Sequence, residues 1–359
     1  GGFNLTHSEN VEQLICRYTP SSIFEKPVPL FSNEQLRNRL SELGIPTFIG
    51  TSKRVFPEKG IKPIDVLNAF LKELERKKVK IYTRHKWKGW GRGTELVFDV
   101  ESNEQRIHAD IVVFALGGAS WKVSGSDGNW SDIFAEKGID IIPFEASNCN
   151  FLVDWPPGFI IDAEGTALKN IAMQCGLMVK KGEVVITKQG IEGGAIYALS
   201  PAIRKQLKEN KKAEVSIDLK PLLEISEIKK RLENRKGNKA WGSHVETVLK
   251  LNKVHLNLLR YLLNKTEFTD PLVLAQKIKN LPLTISGMAP IDEAISTVGG
   301  ISLNEVDEYF NIKKLSHQYA IGEMLDWDAP TGGYLLQGCF SMAAYLAGHL
   351  NNNYQGTKF

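Results

Sequence analysis

The sequence has few cysteines, no long apolar run and almost no excess charge, and each shortage removes a class of protein. Its four cysteines, Cys16, Cys149, Cys175 and Cys339, lie far apart with no Cys-x-x-Cys pair. That spacing gives neither a disulfide framework nor a zinc site, and no metal is expected. The apolar run at residues 111–116 falls far short of the ~20 residues a membrane helix needs. Lys and Arg number 45 against 41 Asp and Glu, and the net charge of +4 argues neither for nor against a nucleic-acid partner. Catalytic strings such as G-x-S-x-G and H-E-x-x-H are missing. So is G-x-G-x-x-G: the nearest cluster, GWGRG at residues 89–93, has the wrong spacing and reads as a hairpin turn. No charged-then-apolar leader is visible, and the expectation is a cytoplasmic protein.

What is present describes a soluble globular chain. At 359 residues, 42% apolar and 24% charged, it is long enough for two or three domains. The most informative stretch is residues 320–350, AIGEMLDWDAPTGGYLLQGCFSMAAYLAGHL. A polar turn leads into Gly332 and Gly333, after which Leu336, Cys339, Phe340, Ala343, Ala347 and Leu350 recur at helical spacing. Side-chain-free residues at a helix start leave unpaired N–H groups and a partly positive end open to a flat or anionic ligand. A terminal helix after a glycine-rich turn is the alternative reading. Residues 108–118, HADIVVFALGG, form a buried-strand pattern closing on a double glycine, the kind of run found in parallel sheets. Ser32 and Gln35 form a capping box for a helix carrying Leu36, Leu40 and Leu43. A second amphipathic helix follows Pro63, with Val66, Leu67, Phe70, Leu71 and Leu74 expected inward. Residues 79–83 and 95–100 alternate like strands.

Beyond Pro143 the character changes. Short β-rich pieces between turn residues at 148–220 indicate a small barrel or sandwich. Within them Gly193 and Gly194 precede Tyr197, and Glu192 and Tyr197 either line a substrate pocket or fix a turn. Residues 221–284 read as charged helices, and His244 and His255 there lack metal-ligand spacing.

The string at 320–350 resembles the C-terminal signature of BaiN/YhiN-like NAD(P)/FAD-dependent oxidoreductases, a group that includes aminoacetone oxidases. GGFNLTH at residues 1–7, TSKRVFPE at 51–58, the strand and double glycine at 108–118, SWKVSGSDGNW at 120–130 and TISGMAPIDEAISTVGGI at 284–301 extend the resemblance over most of the chain. It implies an α/β fold: a discontinuous glutathione-reductase-type FAD-binding domain, residues 1–147 and 285–359, interrupted by a β-rich insertion at 148–220 and a helical one at 221–284. In that family a G-x-G-x-x-G unit precedes the first of these strings, and the opening without Met leads to the expectation that such a stretch is missing here. The resemblance puts Asn4 and Thr6 beside the flavin ring, Gly1 and Gly2 among the cofactor-binding residues, and Ala115, Leu116 and Gly117 along the pyrophosphate. It puts Glu323, after Gly322, on a ribityl hydroxyl, Gly333, Tyr334 and Leu335 at the pyrimidine edge, Gly300 near the ring and Trp87 near the adenine. Packing in the core accounts for Trp87 equally well.

The function implied is hydride transfer between bound FAD and either a small organic substrate, such as an amine, or NAD(P)H. His7 is a candidate for proton transfer, because its ordinary pKa of about 6.5 suits that role. Arg54 either meets an anionic substrate or phosphate, or forms a surface salt bridge. Two other functions stay open: a flavin-dependent tRNA-modifying enzyme, and a non-catalytic relic acting as an interaction module.

Overall fold

The computed structural model describes residues 3–235 and 240–354. The chain divides into two compact units, Gly1–Glu145 with Ser296–Phe359, and Ala146–Ile295.

In the first unit the organising pair of strands is parallel, Val112–Phe114 beside Gln318–Ala320, with Phe114 opposite Ala320. Both strands therefore end on the same side, and both run directly into glycine turns. An antiparallel sheet joins Thr6–His7, Arg54–Pro57 and Thr47–Ile49. A second one joins His85–Trp90, Leu96–Val100 and Asn103–Ile107. The unit's main core gathers Phe24, Phe114, Phe134, Met324, Trp327 and Met342. Its 20-residue C-terminal helix, Tyr334–Asn353, starts at Gly333. The Asn33–Glu42 helix opens with the reciprocal capping box expected of Ser32 and Gln35.

Three details differ from the sequence reading. Residues 79–83 are not a strand: nothing among the described residues pairs with them, and Val79, Ile81 and Tyr82 are exposed. The ladder forms instead from His85–Trp90, and the turn closes with Gly91 N–H bonding Glu95 O at 2.9 Å. In the Pro63–Arg76 helix only Val66 is fully buried, while Leu67, Leu71 and Leu74 face outward. The C-terminal helix buries Tyr334, Gln337, Gly338, Ser341, Met342 and Leu346, whereas Ala343 and Ala347 are exposed. Its inward face is thus turned from the purely apolar stripe, and satisfied polar groups occupy part of it.

The second unit is built on a seven-stranded antiparallel sheet. Its two ends, Leu281–Ile285 and Gly287–Met288, belong to one continuous segment bent at Ser286. The sheet therefore closes on itself as a small barrel does. One core holds strand residues such as Phe151, Met173, Ile186 and Ile217 together with helix residues Ile228, Leu232, Leu259 and Leu274. The β-rich and helical stretches consequently form a single unit rather than separating at residue 220. Its seams fall at 145/146 and 295/296, because Leu281–Ile285 pairs with Ala213–Asp218 and stays with the barrel.

Candidate functional site

The carboxyl ends of the parallel strands place two glycine turns side by side, the position at which open α/β sheets bind ligands. From Phe114 the chain passes through exposed Ala115 and half-buried Leu116 and Gly117, the last at φ 76°. From Ala320 it passes through Gly322, at φ 80°, to Glu323. The two turns are joined by bonds that were not legible in the sequence. Thr297 N–H donates to Glu323 Oε1 at 3.0 Å, and Ala119 N–H donates to Thr297 Oγ1 at 3.2 Å. Ser126 Oγ donates to Gly118 O at 2.9 Å, and the Trp130 indole donates to Gly117 O at 3.1 Å. Burial pushes the Glu323 carboxyl above its ordinary range, against the N–H bonds from Thr297 and Gly118 that lower it. Gly300 is buried at φ 110°, and a Cβ there would lie 2.3 Å from Met324 O.

A second cluster forms around the start of the C-terminal helix. Thr6–His7 pairs with Arg54 and Val55, and Thr6 Oγ1 donates to Gln337 Oε1 at 2.7 Å. Gln337, fully buried, donates to Phe31 O at 2.9 Å, an acceptor it shares with Ser341. A Cβ on Gly333 would sit 2.6 Å from Thr6 N and Cα, so the residue must be glycine for the strand to come this close. A Cβ on Gly332 would lie 3.3 Å from Arg54 Nε. Tyr334 stacks on His7 with centroids 5.0 Å apart, and its hydroxyl donates to Glu9 Oε2 at 2.9 Å. Glu9 also holds Arg17 in an ion pair. Tyr18 O–H donates to Tyr334 O at 2.9 Å.

The structure thus gathers Thr6, His7, Arg54, Gly333 and Tyr334 in one cluster, and Ala115, Leu116, Gly117, Gly322 and Glu323 in the other. Asn4 and Leu335 are half-buried beside the first cluster in sequence, and Gly1 and Gly2 lie outside the described residues. The Trp87 ring packs against Trp90, Phe114 and Phe134 at 4.9, 4.9 and 5.5 Å, in the core of the unit. Glu192 and Tyr197 belong to the second unit. There Tyr197 is buried, and burial followed by the nearby Glu192 carboxylate pushes its hydroxyl up to about 12. Glu9, Arg17, Thr297 and Gln337 also take part in these two clusters and were not singled out in the sequence. Only Thr297, which opens the Thr-x-Gly-Gly string, carried a sequence signal.

Two side-chain atoms test whether an FAD suits the first unit. His7 Nδ1 and Trp87 Nε1 are buried with no hydrogen-bond partner among the described residues, an expensive state for a polar group. The resemblance puts Trp87 near the adenine, and His7 follows Thr6, which it puts beside the ring. With the exposed turn after Phe114 and a helix start at Gly333 that takes no side-chain cap, the residues present fit a flavin nucleotide.

A curated relative, the 3-dehydro-bile acid delta(4,6)-reductase of Clostridium scindens, is 28% identical over 301 residues, covering 79% of this chain and 72% of that protein. Among solved structures, an E. coli quinol fumarate reductase is similar with a TM-score of 0.47 at 13% identity, over 100% of this chain and 63% of that one. A 3-ketosteroid-delta4-(5alpha)-dehydrogenase of Rhodococcus jostii is similar with a TM-score of 0.44 at 12% identity, over 97% of this chain and 86% of that one. The model of the HI0933-like protein Rossmann domain matches residues 1–350. By that match the chain belongs to the HI0933-like Rossmann-domain family, the BaiN/YhiN-like FAD-dependent oxidoreductases whose motifs it carries.

Proposed function

We propose that the protein reduces a carbon–carbon double bond in a small unsaturated ring substrate, using electrons delivered to bound FAD by NADH or NADPH. When bound, FAD supplies reversible two-electron chemistry, accepting and releasing a hydride. The observation that carries the reading is the pair of glycine turns leaving the carboxyl ends of parallel strands.

Each group of residues has a distinct task. Ala115, Leu116 and Gly117 offer the nucleotide's backbone an exposed turn, and Glu323, after Gly322, offers a carboxylate to a hydroxyl. Gly333, Tyr334 and Leu335 open the C-terminal helix, whose partly positive end is worth roughly 1 kcal/mol toward a negative charge. Thr6 contributes main chain, since its hydroxyl is committed to Gln337. Asn4, Gly300 and Trp87 flank the cofactor, and His7 holds or gives up a proton. Arg54 is proposed for the substrate. The 28% identical reductase supports reduction of an unsaturated ring over oxidation of an amine.

The test begins with the absorption spectrum of protein made from the full reading frame and supplemented with FAD. A yellow protein bleached anaerobically by NADH or NADPH, then re-oxidised by an unsaturated cyclic ketone, is the expected result. Re-oxidation by oxygen with peroxide release, driven by an amine, would favour an oxidase. Salt-sensitive binding of tRNA would favour the RNA-modifying reading. A colourless protein that refuses FAD would leave only the interaction module.

A further inference from the structure

We propose that Glu9 is a positioning residue that prepares His7 to take up a proton at Nδ1 when negative charge appears beside it. The inference deepens the flavin reading and rests on it for the source of that charge.

The geometry points to Glu9 as the shared anchor. Its side chain is only 9% exposed. Its Oε2 receives the Tyr334 hydroxyl at 2.9 Å and Arg17 Nε at 2.9 Å, while Oε1 meets the other end of the guanidinium. The same Oε2 stands 3.8 Å from His7 Nδ1. That distance is too long for a hydrogen bond and short enough for strong attraction once the imidazole is charged. His7 Nδ1 is buried with no hydrogen-bond partner among the described residues, and protonation would give it a charge partner in Glu9. A single side chain fixes both backbones: Asn33 Nδ2 donates to His7 O at 2.6 Å and to Glu9 O at 2.9 Å. The His7 ring has little freedom to move away, because it lies on the Tyr334 ring at an interplanar angle of 19°.

The charges facing His7 set its resting state. Burial lowers its pKa first, and Arg17 and Arg54 lower it further; Glu9 and a backbone bond at Ser52 raise it. Burial alone would also raise the Glu9 pKa, yet the bonds from Arg17 and Tyr334 hold the carboxyl below its ordinary range. Glu9 is therefore ionised while His7 rests neutral. Tyr334, raised by burial and by Glu9, stays a neutral donor. A negative charge arriving nearby offsets Arg17 and Arg54 and tips His7 toward imidazolium. Solvent hydronium supplies the proton: its O–H bond breaks as the Nδ1–H bond forms, water is released, and no electron moves in the step.

The test follows the His7 ring by NMR across pH in the full chain, loaded with FAD, oxidised and then reduced with dithionite, and assigned with His7→Asn. Glu9→Gln removes the attracting charge, and His7 should titrate about one unit or more lower. Tyr334→Phe removes a competing donor from the same oxygen, and His7 should titrate higher. Reduction should raise the midpoint in wild type and in Glu9→Gln alike, with the Glu9→Gln value staying below the wild-type one in both states. One midpoint common to wild type, Glu9→Gln and Tyr334→Phe would overturn the proposal. Should Glu9→Gln not fold, the absence of a rise in Tyr334→Phe would overturn it as well. Failure of the wild type to bind FAD would refute the flavin reading by itself, while the titrations of unloaded protein would still decide the coupling between Glu9 and His7.

Discussion

Replacing Gly333 with alanine measures how tightly the first strand is held against the C-terminal helix. Two costs combine. Gly333 sits at φ 94°, where an L side chain costs roughly 1–2 kcal/mol. Its new Cβ would also press on Thr6 N and Cα at 2.6 Å. Thr6 cannot retreat easily, because Leu5 N–H bonds Val55 O at 2.9 Å and Thr6 Oγ1 bonds Gln337 at 2.7 Å. Overpacking against fixed neighbours adds about 1–3 kcal/mol. Gly44 provides the control: at φ 78° it pays the first cost, and its Cβ would meet nothing within 4 Å. Both positions lie in the unit Gly1–Glu145 with Ser296–Phe359, so one calorimetric transition reports both. Gly333→Ala should melt about 2–12 °C below Gly44→Ala, at about 2–4 °C per kcal/mol for a unit of this size. It should also bind FAD at least about tenfold more weakly, equivalent to roughly 1.4 kcal/mol, as the helix start shifts. Equal melting temperatures would show that the strand yields freely, and the argument from close approach would be wrong.

Three further outcomes follow from buried polar groups. Thr6→Val keeps the shape but strands Gln337 Oε1 in the core, and urea unfolding should register a loss of about 1–3 kcal/mol; no change would mean that water reaches the amide. His255 is held neutral, its pKa lowered by burial and Lys220 from 6.5 to about 4. A folded-state value below the unfolded one gives stability that is complete above pH 6.5 and fades as pH falls toward 4. The second unit should therefore lose about 3 kcal/mol across that window, a loss missing from His255→Gln; parallel pH curves would refute it. Glu323 has the opposite sign, since burial raises its folded pKa. Its favourable contribution is present in acid and fades as pH rises through that raised value. Wild type should gain relative to Glu323→Gln on acidification, and a gain on raising pH would contradict the burial argument.

What could be read without coordinates was chemistry decided within a few residues. The capping box of Ser32 and Gln35 formed because both partners sit in one turn. Residues 79–83 show the limit. Their alternation describes a strand, but a strand exists only where another backbone completes its ladder, and the adjacent His85–Trp90 found one in Leu96–Val100. Helical periodicity likewise located the C-terminal helix without fixing which side turns inward. Gln337 and Ser341 are buried because Phe31 O and Thr6 satisfy them, and a hydrophobicity pattern counts both as solvent-facing.

The glycine pairs carry the same lesson for the site. Sequence shows that a bare backbone is required, and not what approaches it. At Gly333 the approaching group is Thr6, at Gly300 it is Met324 O, and at Gly118 it is Thr297 Oγ1, 2.0 Å from a Cβ position. All three belong to the protein, so these glycines would be needed with no ligand at all. Gly322 differs: the nearest atom to its Cβ position is Cys339 Sγ at 3.6 Å, an ordinary contact. Its φ of 80° therefore answers to the turn that carries Glu323 off the parallel strands. A ligand role rests most firmly on such turns, where geometry rather than crowding selects glycine, together with exposed Ala115 and the Nδ1 of His7, which has no hydrogen-bond partner among the described residues. The motif marks the strands and their glycine turns, and the burial of each polar atom separates the groups open to a ligand from those that hold up the walls.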